Sequence, residues 1–208
     1  MNKNSEYEAE IVPYERELTH SFDFVVSEAE ELYQGQGRLR RTYDRLTKRL
    51  EELGVSYGLI GGYALILHGV RRFTEDIDIL ISSPDLDRLH KELVGRGYVH
   101  VVPGSRNLRD VETGVKIEFV TTGAFPGDGK PKPVAFPAPQ AVVENSGGIK
   151  VINLKSLIEL KLASGMTGKG RLQDLADVQR LIEHHGLTPD FAKQLDPYVR
   201  GKFLELLE

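Results

Sequence analysis

The stretch GGYALILHGVRRFTEDIDILI, Gly61 to Ile81, organises the chain. It opens on a glycine pair and closes on an apolar run carrying Asp76 and Asp78. In a strand, side chains at i and i+2 leave the same face, so the two carboxylates project side by side. Adjacent like charges oppose each other's ionisation unless a cation lies between them. Ile77, Ile79, Leu80 and Ile81 indicate a largely buried strand, which has little structural use for paired acids. The pair therefore points to a site for a hard divalent metal. The alternative is a strand end whose aspartates are solvated or cap the next element.

Outward from this stretch, Val55–Ile60 reads as a short strand leading into Gly61-Gly62, and Tyr63–His68 as a short helix ending near Gly69. Upstream, Leu39, Tyr43, Leu46, Leu50 and Leu53 recur at helical spacing, with Gly54 as the stop. Before Gly35 and Gly37, the Ser27…Glu30 pair has the form of a capping box, and residues 1–26 read as an arm. Downstream, Ser83-Pro84 predicts a helix start, with Leu86, Leu89, Leu93 and Val94 as its buried stripe. Strands are expected at Tyr98–Val102, Asn107–Val111 and Val115–Val120, with a turn at Thr113-Gly114. A proline-rich loop follows over residues 121–140, its Phe125 and Phe136 available to fold back onto the core. A short extended stretch, Ile149–Ile152, precedes an Asn153 cap and a helix to Ser164. GMTGKG is a connector, a helix runs Arg171–His185, and Thr188-Pro189 and Asp196-Pro197 each start a short final helix. The fold class is α/β (α+β): a small mixed sheet with helices, then a helical C-terminal half. The expected divisions are an arm (1–26), a catalytic core (27–145) and a helical region (146–208).

Composition narrows the setting. With no Cys there is no disulfide frame and no thiolate zinc site. No apolar run approaches the ~20 residues that span a bilayer, and the N-terminus is rich in Glu, so a cytoplasmic protein with no membrane partner is expected. A net charge of −4 argues against a general polyanion trap. The charge is segregated, however. Glu6, Glu8, Glu10, Glu15, Glu17, Asp23, Glu28, Glu30 and Glu31 crowd the N-terminal segment, and Arg38, Arg40, Arg41, Arg45, Lys48 and Arg49 crowd one helix. That helix is a solvated surface, or it meets a nucleic acid or the acidic segment.

Glycines at a helix start let backbone N–H groups approach a phosphate. Here the pair precedes Asp76 by thirteen intervening residues. A third acid, Glu118, lies in VKIEFV, where Lys116, Glu118 and Val120 share one strand face. If that strand neighbours the Asp76 strand, three carboxylates converge beside a phosphate-cradling turn, as two-metal phosphoryl transfer requires. A solvent-facing position on an edge strand is the alternative for Glu118.

Gly61-Gly62, the Asp76-x-Asp78 pair and the strand acid Glu118 resemble the DNA polymerase β-like nucleotidyltransferase superfamily. The similarity is greatest to its minimal prokaryotic branch of abortive-infection and toxin–antitoxin nucleotidyltransferases. His68, Gly69, Arg72 and Thr74 follow that branch's intervening segment, and Lys161 with Arg171, Asp174 and Asp177 resembles its helical block. The likeness covers about residues 55–185. It implies that Gly61 and Gly62 hold the triphosphate of an NTP such as ATP, with Arg72, Thr74 and Lys161 also toward the nucleotide. Asp76, Asp78 and Glu118 would bind Mg2+ or Mn2+, and Glu118 would draw the proton from an acceptor hydroxyl. The implied activity is transfer of NMP to RNA, a protein or a small molecule, with an antitoxin protein as partner. A surface pair with Glu75 is the plainer role for Arg72, a snorkelling helix lysine for Lys161, and a structural hydrogen bond for His68. The alternatives in function are a catalytically silent nucleotide-binding or regulatory protein, a metal-dependent phosphohydrolase or kinase, and an interaction domain built on the basic helix.

Overall fold

The computed structural model describes residues 11–208, so Glu6, Glu8 and Glu10 of the expected arm lie outside the described residues. A single turn, α1 (Tyr14–Glu17), leads into α2 (Phe22–Tyr33). The second helix starts earlier than Ser27 predicts. Its cap is Ser21, in extended backbone, whose hydroxyl accepts the Phe24 N–H at 3.2 Å. Ser27 sits inside the helix, so its capping-box spacing is coincidental. Gly35 and Gly37, both with positive φ, then break the chain as expected.

Helix α3 (Gly37–Glu52) leads to β1 (Tyr57–Ile60), α4 (Gly61–Leu67), β2 (Asp76–Ile81) and α5 (Ser83–Leu93). The cap of α5 is Ser82 rather than Ser83: Ser82 accepts the Asp85 N–H, which leaves Pro84 in the first turn. Strands β3 (Tyr98–His100), β4 (Leu108–Asp110) and β5 (Lys116–Thr121) follow. After the proline-rich loop come α6 (Pro139–Val142), β6 (Val143–Ser146) and β7 (Ile149–Ile152). β6 was not foreseen, and with β7 it forms a hairpin that crosses the 145/146 line. Helix α7 (Leu154–Thr167) takes in the start of the expected GMTGKG connector. Helix α8 (Leu172–His185) ends at Gly186 in left-handed conformation, and a 3-10 turn (Pro189–Gln194) and α9 (Pro197–Glu205) complete the helical half. Among the described residues no helix is long and apolar enough to cross a membrane.

The seven-stranded sheet runs β3-β4-β5-β2-β1-β7-β6. β2 lies at its centre, parallel to β5 and antiparallel to β1. Alternation along β2 and β5 assigns each face. Ile77, Ile79, Ile81, Ile117 and Phe119 are fully buried in one core with Leu39, Tyr43, Leu46 and Leu50 of α3 and Leu89 and Leu93 of α5. On the opposite face Leu80 is buried, and Val120 packs, against Leu157, Ile158, Val178 and Leu181 of α7 and α8. Asp76, Asp78, Lys116 and Glu118 share that second face. They stand where the cover of α7 and α8 gives way to a cleft.

The basic helix is largely engaged within the chain. Arg38 pairs with Glu17 (2.9 Å) and Glu28 (3.7 Å) and lies over the Phe24 ring at 5.0 Å. Arg40 pairs with Asp44, Arg45 with Asp110 and Glu112, and Arg49 with Glu52. Arg41 and Lys48 face solvent. The described part of the acidic segment therefore meets this helix, and a nucleic acid would find few free cations on it. Arg38→Ala is expected to lower stability by about 1–2 kcal/mol, because it removes two ion pairs and an aromatic contact together. Urea unfolding checks this; an unchanged midpoint would show that Arg38 is not part of the packing.

Candidate active site

The site is built where β1 ends and β2 and β5 begin. Ile60 pairs with Asp78 across the antiparallel β1–β2 ladder, so the next residue, Gly61, turns directly over that carboxylate. Gly61 has φ +66°, and a Cβ there would overlap the Asp78 side chain. A Cβ on Gly62 would come 2.6 Å from Thr74 Oγ1 and 3.0 Å from Arg72 Nη1. Gly61 is thus held to glycine by its backbone and by Asp78, and Gly62 is crowded by the Thr74 and Arg72 side chains.

In the parallel β2–β5 ladder Asp76 pairs with Lys116 and Asp78 with Glu118. The three acids expected to converge are therefore neighbours on one face of adjacent strands. All line a cleft of about 490 Å³, together with Gly61, Gly62, Arg72, Thr74 and Lys161. It is larger than the hollows of about 360 and 310 Å³ elsewhere on the protein. Burial, reinforced by the Asp76 and Glu118 charges, pushes the Asp78 carboxyl up to about 7; Lys161 and the Gly62 N–H offset this only in part. Thr74 donates to Asp76 Oδ1 at 3.2 Å.

Lys116 is the neighbour whose role the sequence left unread. Its ammonium lies 2.6 Å from Glu118 Oε1 and 3.3 Å from Asp76 Oδ2. Burial works against that charge, but the two carboxylates outweigh burial and raise the Lys116 pKa. Its place on the Glu118 face was visible from the alternation; its contact with Asp76 needed the strand pairing. Among the described residues no three His, Asp or Glu side chains converge closely enough to enclose a metal ion. The acids that share the face nevertheless present hard oxygen donors of the type a magnesium or manganese ion takes, so the residues fit such an ion in chemistry. An ammonium drawn between two of them marks the same demand for positive charge.

The helical wall carries a second ionic cluster. Lys161 donates to Asp174 (2.9 Å) and Asp177 (2.8 Å), and Arg72 reaches Asp177 at 3.4 Å rather than pairing with Glu75. Ser164 donates to Asp174 at 2.7 Å, and Gln173 to Asp177 at 3.0 Å. Burial opposes ionisation of Asp174, but Lys161, Ser164 and Arg171 outweigh it and hold its carboxyl below the usual range. His68 stands outside the cleft's lining, its Nε2 donating to the Ile152 carbonyl at 2.8 Å, which is the structural role expected of it.

The proline-rich loop forms the remaining wall. Its neck is closed by Gly123 N–H to Phe136 O and Phe136 N–H to Ala124 O, both 2.8 Å. Lys132 pins its tip, donating to Pro126 O at 2.6 Å and to Thr167 Oγ1 of α7 at 2.9 Å. Phe125 and Phe136 line the cleft, as does Arg106 from the β3–β4 connection. Nothing local in the sequence marks Arg106 as a cleft residue.

The expected fold class is present: a mixed sheet with paired acids at its centre, a glycine turn over them and a helical half closing the cleft. Residues 46–204 match the family described as the nucleotidyl transferase AbiEii toxin of type IV toxin–antitoxin systems. That span is more than half of the 208 residues, and the chain belongs to this family. Among solved structures it is similar to an antigenic nucleotidyltransferase-like protein from Paracoccidioides brasiliensis, with 17% identity over 75% of this chain and 77% of that one and a TM-score of 0.46. It is also similar to JHP933 from Helicobacter pylori, with 19% identity over 73% and 70% of the two chains and a TM-score of 0.42. A third is ANT(2″)-Ia in complex with adenylyl-2″-tobramycin, with 13% identity over 78% and 95% and a TM-score of 0.48. No curated protein matches.

Proposed function

We propose that the cleft transfers a nucleoside monophosphate from an NTP to an acceptor hydroxyl, as the toxin of a toxin–antitoxin pair. The observation that carries this reading is the Asp78–Glu118 register pair beside Asp76, in one cleft with Gly61, Gly62, Arg72, Thr74 and Lys161. Gly61-Gly62, Arg72, Thr74 and Lys161 bind and orient the triphosphate. Asp76, Asp78 and Glu118 would hold magnesium or manganese, which when bound supplies Lewis-acid neutralisation of the phosphate oxygens. Glu118 takes the proton of the acceptor hydroxyl. The acceptor oxygen then bonds to the α-phosphorus, the bond from that phosphorus to the bridging oxygen breaks, and pyrophosphate leaves. The acceptor is RNA, a protein or a small molecule, and the antitoxin is a second protein.

One observation favours a second reading, a nucleotide-binding protein without transfer: the Lys116 ammonium already pairs with two of the three acids. Incubation with α-labelled NTPs, Mg2+ or Mn2+ and either total RNA or protein separates the two. Label is expected on an acceptor, and Asp76→Ala is expected to reduce it on the order of a thousandfold. NTP binding without label transfer would favour the silent protein. Label recovered as free NDP or NMP, with none on an acceptor, would favour a hydrolase.

A further inference from the structure

Resting on the metal-dependent reading above, we propose that Lys116 is a positioning residue for the acidic floor. Its ammonium holds Asp76 and Glu118 and competes with the divalent cation that those carboxylates would take. The strand pairing explains why this lysine, among those of the described residues, is so placed. Lys116 stands directly opposite Asp76 in the β2–β5 ladder and two residues before Glu118 on the same strand face. A side chain leaving that position has a carboxylate beside it on each strand, and the ammonium bridges them at 2.6 and 3.3 Å.

Three features separate this arrangement from an incidental surface pair. The Lys116 side chain is 27% exposed, so water was open to it, yet it folds back over the acids. Among the described residues neither Asp76 nor Glu118 has another cationic partner within ion-pair distance. Lastly, the ammonium makes no ion pair with Asp78, the third acid of the floor. The floor thus carries three carboxylates and one ammonium. A divalent ion arriving there meets a positive charge within a few ångströms and has to displace it or share ligands with it. Lys116 thereby stabilises the empty floor and weakens its hold on a metal that arrives without nucleotide.

The test measures metal uptake directly, by titrating the full chain with Mn2+ alone and following free Mn2+ by electron paramagnetic resonance. Lys116→Gln is expected to tighten Mn2+ binding about tenfold or more, since a repelling charge near the ion is removed. Lys116→Arg keeps the charge and is expected to stay within about twofold of wild type. A Lys116→Gln variant that binds Mn2+ no tighter than wild type overturns the assignment. Asp76→Asn distinguishes the two levels of the argument. If it weakens Mn2+ binding while Lys116→Gln changes nothing, only the role of Lys116 falls. If wild type and every variant take up no Mn2+, either alone or with an NTP present, the metal-dependent reading falls with it. A measurement on the unaltered protein guards against a misfolded variant. The Lys116 ε-methylene NMR resonance is expected to shift during a Mg2+ titration, and a resonance that stays in place also overturns the proposal.

Discussion

Asp78→Asn is expected to make the metal-free protein more stable at pH 8 while reducing nucleotidyl transfer on the order of a thousandfold. The first half follows from the carboxyl's position. Its pKa rises from the ordinary 3.8 to about 7, chiefly through burial and then through Asp76 and Glu118. Between those two values the folded chain binds more protons than the unfolded chain, so stability falls as pH rises across that window. Below about pH 4 the group is protonated in both states and costs nothing; above about pH 7 the penalty is complete. The full shift corresponds to on the order of 4 kcal/mol. Asparagine removes the charge but adds an amide donor beside Gly62, so a net gain of about 2 kcal/mol is expected, or about 4–8 °C in the thermal midpoint. Scanning calorimetry of both proteins in EDTA at pH 4 and pH 8 checks this: the gain belongs to pH 8 alone. An asparagine variant equally destabilised at both values would mean that Asp78 is held in place by its carboxylate, not strained by it. The same linkage predicts that divalent cations bind more tightly as pH rises through 7, since the ligand must first lose its proton.

Much of this site was legible because its signals are local. The two-residue period along Asp76–Ile81 and Lys116–Thr121 sorts each side chain to a face, and it placed the acids opposite Ile77, Ile79, Ile117 and Phe119 before any pairing was known. That β5 lies beside β2, in a register setting Asp78 against Glu118, is a non-local fact separated by about forty residues of chain, and no local pattern contains it. The contact of Lys116 with Asp76 was hidden for that reason. Errors at Ser27 and Ser83 were of another kind. Each had the right residue type and spacing, but Ser21 and Ser82 stood nearer the turn that leaves extended backbone. β6 was missed because Val-Glu-Asn-Ser is polar and exposed at a sheet edge, where burial imposes no apolar alternation. The partner of the basic helix stayed open for a physical reason as well. A run of arginines carries the same composition whether its partners are phosphates or this chain's own carboxylates.

Lys161→Met is expected to destabilise the fold by about 3–4 kcal/mol, the cost of leaving a buried carboxylate without its principal cation. Asp177 is fully buried, and it would retain only Arg72 at 3.4 Å and the Gln173 amide. Asp174 would keep Ser164 and a distant Arg171. Asp177→Asn relieves the stranded charge, so the double variant should be less destabilised than the two single losses summed, by about 2 kcal/mol. A chemical-denaturation cycle over the four proteins measures that coupling; strict additivity would mean that the pair is not a structural unit. The result also bears on what Lys161 can offer a nucleotide. Three positive and two negative groups (Arg72, Lys161, Arg171, Asp174, Asp177) leave this wall with little excess positive charge, so it does not act as a bare phosphate trap. An ammonium has three N–H donors, however, and the two aspartates take two of them. The third is available to a phosphate oxygen from a lysine whose position its partners have already fixed. Asp174→Asn frees part of that charge while leaving the fixed geometry through Asp177. NTP affinity is then expected to rise severalfold in Asp174→Asn and to fall in Lys161→Met, read by equilibrium binding under conditions where both variants remain folded. Equal NTP affinity in all three proteins would confine Lys161 to holding the helices together.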